Sequence, residues 1–481
     1  CGQLKQITNA AGHVSTFDAY DAAARLLQRT DTNGVITTNT YHPRGWLLST
    51  TDTPSVGPAR VTTFEYDAVG QLVKTTLPDG TEQNLVYDAA HDLREIIDNL
   101  GNKIEHTYDA KGNRTQEQIF DPDTVLVRTS TTVYDIRNFI ESVNSAGSVT
   151  QMINDAVGNL NTQTDPNLNP TTDHSYDALD RLTNTLDALA NTTVYGYNVA
   201  DQLIQVEAPN GATTTYEYDD LGNQTQEISP DRGTRVHTHD DAGNVTSISD
   251  DRGITVNFSY DSLNRIVTAN YPNSSENIIY FYDAGASCGF AIGRLCQIDD
   301  ESGPTTFEYD PWGNVLTQTK TELGVSYHTA YQYDAQDRVV QMTYPSGRVV
   351  NYVRDAIGRI QDVTTTRLDE TISVVSNRTY RADNLVTGHT LGNGLQEFRS
   401  YDLQGRVNDI QVGAVASWFY DYDANGNILE IDKPQDNFST ISMCWIVWSQ
   451  RRMELLLCQK SLTKAQKPWR LTKPMSRLPR A

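Results

Sequence analysis

Aspartates recur along this 481-residue chain at a spacing that invites a chemical reading. Carboxylates close to Asn and Gly suggest calcium first. Yet the loop D-x-[DN]-x-[DN]-G with its distal Glu is missing, as is the glycine-rich nonapeptide of calcium-binding β-arrays. The adjacent acids Asp219-Asp220, Asp240-Asp241 and Asp250-Asp251 fall at turns, and neighbours on a strand face opposite ways, so they make poor general acid/base dyads. His237 and His239 share one strand face and could ligate a metal, but a packed or solvated strand pair accounts for them better. Cys288 and Cys296 lie astride a widened loop: a disulfide, two free thiols and a two-ligand metal site all stay open. No His-Glu-x-x-His, phosphate loop, Gly-x-Ser-x-Gly elbow or Cys-x-x-Cys occurs. These residues predict no catalytic group, no cofactor and no metal. The aspartates are expected to be structural.

The elements that carry them explain the recurrence. Markers, the Asp of each Tyr-Asp, stand at Asp21, Asp67, Asp88, Asp109, Asp135, Asp177, Asp219, Asp261, Asp283, Asp310, Asp334, Asp402 and Asp423. Degenerate copies at His42, Asp155, Asn198, Asp240, Asp355 and Arg381 bring the total to 19, mostly 21 or 22 residues apart and at most 27. Three residues after the marker stands Gly45, Gly70, Gly112, Gly158, Gly222, Gly243, Gly313, Gly358, Gly405 or Gly426, or else an Asp or Asn. Those types tolerate a left-handed backbone. A type I turn followed by one left-handed residue makes a three-residue hairpin loop, with Asp bonding the backbone at its start. Ala24 and His91 break the rule, so their turns are predicted to be looser. Aromatics alternate before the turn, as in Phe64/Tyr66 and Tyr216/Tyr218, and an aliphatic follows it. In the first copy Phe17 and Tyr20 are three apart. A second turn such as Pro78-Asp79-Gly80 closes many units. The predicted fold is all-β, an array of hairpins.

Composition agrees. Only 38% of residues are hydrophobic, which suits a sheet with a wet face. A net charge of −23 argues against nucleic-acid binding. No run approaches the ~18 apolar residues of a membrane helix. The chain opens at Cys1 with no leader, and we expect that end to be a cut one.

Tyr-Asp-Ala-x-Gly-x-Leu about every 21 residues, with units closed by Pro-x-Gly, resembles the RHS/YD-repeat family over about residues 1 to 436. That resemblance implies a spiralling antiparallel sheet, part of a hollow shell, which in bacterial toxins encloses a variable C-terminal toxin. It implies a secreted or cell-surface location and a partner that is the enclosed toxin segment. Wall-associated and teneurin-like relatives imply a second reading, an adhesion array for a surface glycan or cell-envelope ligand, since tyrosines stack on sugars. Similar cysteine-containing insertions occur in the family. RHS cores usually end in a segment around Asp-Pro-x-Gly. Here Asp310-Pro311-Trp312-Gly313 sits mid-array in register, so we read it as a repeat variant.

Nineteen repeats of two strands, ~4.8 Å apart, give about 180 Å of sheet, a ring roughly 60 Å across and one turn of a spiral. A closed shell would need more repeats, so a fragment is expected. Residues 437–481 form a basic non-repeat tail: from Ile441 on there are nine Lys/Arg, one acid (Glu454) and no Gly, Tyr, Asp or His. A change of reading frame, the start of a variable toxin segment and a basic binding tail are the three readings. With no His and one Glu, the tail cannot supply a nuclease's acid–base or metal groups by itself.

Overall fold

In a computed structural model the described residues are 2–283 and 288–433. They form 39 antiparallel strands in one sheet, each paired with its neighbour in sequence, from Gln6–Thr8 to Ile428–Asp432. The tail, 437–481, lies outside the described residues.

Each hairpin is built around its marker. Asp67 N–H donates to the Gln71 carbonyl (3.0 Å) and Gly70 N–H to the Asp67 carbonyl (3.2 Å), closing a loop of three residues. Gly70 has φ +101°, and a Cβ there would lie 2.7 Å from the Trp46 ring, so both conformation and space demand glycine. The ladder then slips by one residue between Glu65 and Tyr66, a bulge that recurs at most markers and adds right-handed twist. In the first copy a further slip sits between Phe17 and Ala19, which absorbs the extra residue separating Phe17 from Tyr20.

The turns at Ala24 and His91 are not looser, which corrects the expectation. Their φ values are +63° and +70°, and both donate to the marker carbonyl at 3.0 Å. The bonds around the marker impose the left-handed conformation on residues that disfavour it.

Side chains hardly form a core. Among the described residues only seven apolar ones besides Pro54 and Pro311 are buried, Val35, Val127 and Val375 among them. The ribbon nonetheless meets itself. Asn33 Nδ2 donates to the Ile292 carbonyl, Arg338 to Asp79, Ser148 Oγ to the Ala424 carbonyl and Asn425 to Asp165, partners 259, 259, 276 and 260 residues apart. One coil therefore takes about 260 residues, or about 24 strands, giving ~115 Å around and roughly 35–40 Å across. The described array completes about one and two-thirds turns, tighter than the single 60 Å ring expected. Counting strands gives the length of the sheet but not its curvature, and that is where the expectation failed.

Replacing Ala24 or His91 by Gly is expected to stabilise its hairpin by up to about 1 kcal/mol through relief of the left-handed strain, whereas Gly70→Ala is expected to destabilise by more. Amide hydrogen exchange across the three turns checks both directions.

Candidate functional site

Two sets of contacts run through the molecule: a lock between consecutive repeats and a seam between consecutive coils. The lock starts at the marker. Asp219 Oδ1 accepts from the N–H of Leu221 (2.9 Å) and Asn223 (2.8 Å), and Oδ2 takes the Asn223 side-chain amide at 2.9 Å. In several other repeats the fourth residue after the marker is arginine. Arg25, Arg181, Arg338, Arg359 and Arg406 each pair with their own marker, at 2.6–2.7 Å. Several of these guanidiniums reach on to the next repeat, where Arg181 and Arg406 donate to the carbonyls of Asn198 and Asp423 at 3.0 Å. They also lie over the next aromatic: Arg25 is 4.8 Å from the Tyr41 ring centroid, Arg359 4.5 Å from Tyr380 and Arg406 4.8 Å from Tyr422.

The marker tyrosine closes the lock in the other direction. Tyr218 Oη–H donates to the Leu203 carbonyl (2.8 Å), Tyr260 to Val245 (2.7 Å) and Tyr422 to Val407 (2.8 Å), each 15 residues back. Twelve tyrosines, from Tyr20 to Tyr422, make this bond. Where Arg354 replaces the tyrosine, its Nη2 donates to the Val339 carbonyl at 3.0 Å, the same 15 residues back. Where His42 replaces the aspartate, Trp46 stacks on it (centroids 4.7 Å apart) and touches Tyr66 at 5.5 Å. Where Arg381 replaces the aspartate, it pairs with Asp383 and lies over Tyr401 at 5.2 Å. The chemistry varies while the contact persists.

The electrostatics follow from the capping. The side-chain amide of Asn223, then its backbone N–H, hold the Asp219 carboxyl below its usual range, and Asn244 does the same for Asp240. At Asp261 burial pushes the pKa up, but the Arg265 side chain and two backbone N–H groups outweigh it. Arg265 itself is held above its usual range, chiefly by Asp283, which its Nη1 meets at 3.1 Å.

At the seam, marker turns of the later coil rest on the opposite-edge turns of the earlier one. Arg60 pairs with Asp337 (2.9 Å) and lies 4.0 Å from the Trp312 ring. His13 faces Asp283 at 3.5 Å. Asn167 donates to Asp423 at 3.0 Å while Asn425 donates to Asp165 at 2.6 Å, a reciprocal pair. A cleft of about 310 Å³ runs along the seam, between Leu77, Ile96 and Ile104 on one side and Ile357 and Ala382 on the other.

Residues 288–296 lie on this seam. Cys288 and Cys296 are joined by a disulfide and buried with Ala291 against Tyr309. Gly293 has φ +85°. Tyr309 N–H donates to the Cys288 carbonyl at 3.2 Å, and Ile292 exchanges two 3.1 Å bonds with Asn33 in the coil below. Thus the loop ties its own hairpin to the next strand and to the other coil.

Gly112, Gly158, Gly222, Gly243, Gly313, Gly358, Gly405 and Gly426 stand in their turns with φ between +82° and +107°. Asp310 caps its turn as other markers do, accepting from Gly313 and Asn314 N–H. His237 and His239 share one strand, and among the described residues no three His, Cys, Asp or Glu side chains converge as metal ligands. The sequence reading missed the arginine or asparagine after the turn, although its recurrence at that spacing was visible. It also missed the seam partners, for which the sequence carries no local signal.

A ribbon of locked hairpins defines the class, and six matches to one family model along the chain support the RHS-repeat family. The RHS Repeat model matches residues 2–36, 87–119, 197–234, 239–276, 316–349 and 333–369. A curated relative, double-stranded DNA deaminase toxin A of Burkholderia cenocepacia (strain H111), is 31% identical over 124 residues, 24% of this chain and 8% of that protein. Among solved structures, TcdB2-TccC3 superposes with TM-score 0.70 at 16% identity, covering 89% of this chain and 28% of that one. The Photorhabdus luminescens Tc holotoxin pore gives TM-score 0.68 at 15% identity, covering 89% and 30%. At such identities the likeness shows the fold. This chain spans under a third of the length of these relatives.

The lowered aspartate pKa values carry a sign. A carboxyl whose folded pKa lies below its unfolded value of about 3.9 stabilises above that value and loses the contribution as pH falls through the folded pKa. The array is therefore expected to keep its stability from neutral pH down to about pH 5 and lose it steeply below pH 4. Asp219→Asn and Asp240→Asn should each flatten that acid limb; melting curves at pH 7, 4 and 3 check this.

Proposed function

We propose that this array is a wall segment of an RHS shell that encloses and delivers a C-terminal toxin, with no catalysis of its own. The observation that carries the reading is that the described residues do not fill the coil. A ring roughly 35–40 Å across, less about 10 Å for the sheet and its side chains, leaves a lumen of about 25 Å. A filled ring would bury one whole face of the ribbon. Instead Tyr216, Glu217 and Tyr218 all keep access to solvent, and this is the general pattern among the described strands. The family and a relative named as a toxin support the same reading. No helix among the described residues is long and apolar enough to cross a membrane. The shell reading places the protein outside the cell or on its surface, and leaves residues 437–481 outside the array.

Adhesion to a surface glycan finds less support. Twelve marker tyrosines spend their hydroxyl protons on carbonyls of the repeat behind, so those groups are not free to donate to a sugar.

The test is protease protection in the gene product that carries this array together with its downstream coding sequence. The downstream segment is expected to survive proteinase K while the array is folded and to be digested once denaturant opens it. Digestion of that segment under native conditions, with the array intact, contradicts enclosure.

A further inference from the structure

One point of the internal seam is built unlike the rest. Elsewhere the coils meet through side chains on ordinary turns, as Arg338 meets Asp79 and Ser148 the Ala424 carbonyl. Where Asn33 is met, the marker loop itself is enlarged. Asp283 N–H donates to the Arg294 carbonyl, eleven residues on, whereas Asp67 reaches Gln71, four residues on. Inside that loop the Cys288–Cys296 disulfide closes a span of eight residues.

Little else holds residues 288–296 in place. Their buried side chains are small, Cys288, Ala291 and Cys296 against Tyr309, while Phe290 and Ile292 stay half-buried. Tyr309 N–H donates to the Cys288 carbonyl at 3.2 Å and Phe290 N–H to the Tyr309 carbonyl at 3.4 Å, two long bonds. Arg294 donates to the carbonyls of Phe290 and Asp310. The covalent link is therefore the main restraint that keeps Ile292 opposite Asn33, because it removes most loosened conformations of a short loop. The hairpin does not need it: Tyr309 Oη–H still bonds the Leu295 carbonyl, and Arg265 still pairs with Asp283.

We infer that the Cys288–Cys296 disulfide is a redox latch on the seam. Oxidised, it holds Ile292 on Asn33 of the other coil. Reduced, it releases that contact while the hairpins stay folded. The reductant is a dithiol of the kind a reducing compartment supplies. Its thiolate attacks one sulfur and breaks the Cys288–Cys296 bond. Its second thiol then resolves the mixed disulfide, leaving two protonated cysteines and one oxidised dithiol. The two sulfur residues are only 2% and 5% exposed, so exchange requires the loop to lift, and lifting breaks the Asn33 contact. Seam and disulfide thus protect each other, a coupling that must be reciprocal. The latch holds whatever the shell encloses.

Hydrogen exchange read by mass spectrometry on the full chain, before and after dithiothreitol, tests one direction. Peptides containing Ile292 and Tyr309 are expected to exchange about 10-fold faster once reduced, the order of restraint a short-loop disulfide supplies. The marker-turn amides of Gly222 and Gly405 should not change. A Cys288→Ser, Cys296→Ser variant should show the fast exchange without dithiothreitol and no response to it. The other direction is the rate of reduction, followed by alkylation: Asn33→Ala should accelerate it several-fold, with circular dichroism unchanged. Free thiols at both positions in the air-oxidised protein would overturn the latch. So would unchanged protection of Ile292 after reduction, loss of protection at Gly222 and Gly405 as well, or a reduction rate indifferent to Asn33→Ala.

Discussion

The hydrogen bond from twelve of the marker tyrosines to a carbonyl one repeat behind is the contact on which the rest depends. A single-layer sheet with so few buried apolar residues has little hydrophobic driving force of the usual kind. It must fix every hairpin to its neighbour by side chains lying along the ribbon. The tyrosine does this backwards and the arginine over the next ring does it forwards. A net hydrogen bond contributes about 0.5–1.5 kcal/mol, so no single lock matters greatly. Their sum and their regular direction do, as expected of a one-dimensional array in which each unit touches its neighbours.

Regular locking also sets curvature. Most repeats share the same turn, the same bulge and the same tyrosine bond, so the ribbon curves steadily and meets itself after about 260 residues. That pitch decides which distant turns meet. Arg338 finds Asp79 and Asn425 finds Asp165 because twelve or so repeats intervene, with no local preference between those residues. The disulfide-linked loop lies near the first of these meetings, where Ile292 grips Asn33. The seam is thus a consequence of the lock, and the lumen a consequence of the seam.

Much of this was legible in the sequence, for physical reasons that differ by level. The hairpins were legible because only a few residue types accept the left-handed position, so Gly70 or Asn138 announces a turn by itself. Ala24 and His91 misled because a turn closed on both sides can impose its conformation on a residue that disfavours it. Substituted locks such as Arg354 for tyrosine and His42–Trp46 for an aspartate pair were illegible as equivalents, since they conserve a contact and not a residue type. Coil diameter was beyond reach, because a small error in rotation per repeat accumulates over a whole turn.

The central claim is that this ribbon coils upon itself with a period of about 260 residues, and a single distance tests it most directly. Spin labels at Ser148→Cys and Ala424→Cys replace side chains at a point where Ser148 Oγ lies 2.7 Å from the Ala424 carbonyl across the seam. Double electron–electron resonance is predicted to give one narrow distribution at about 20 Å, the span of two label arms on touching turns. A broad distribution centred well beyond that, with the protein folded, would contradict the coil and with it the lumen.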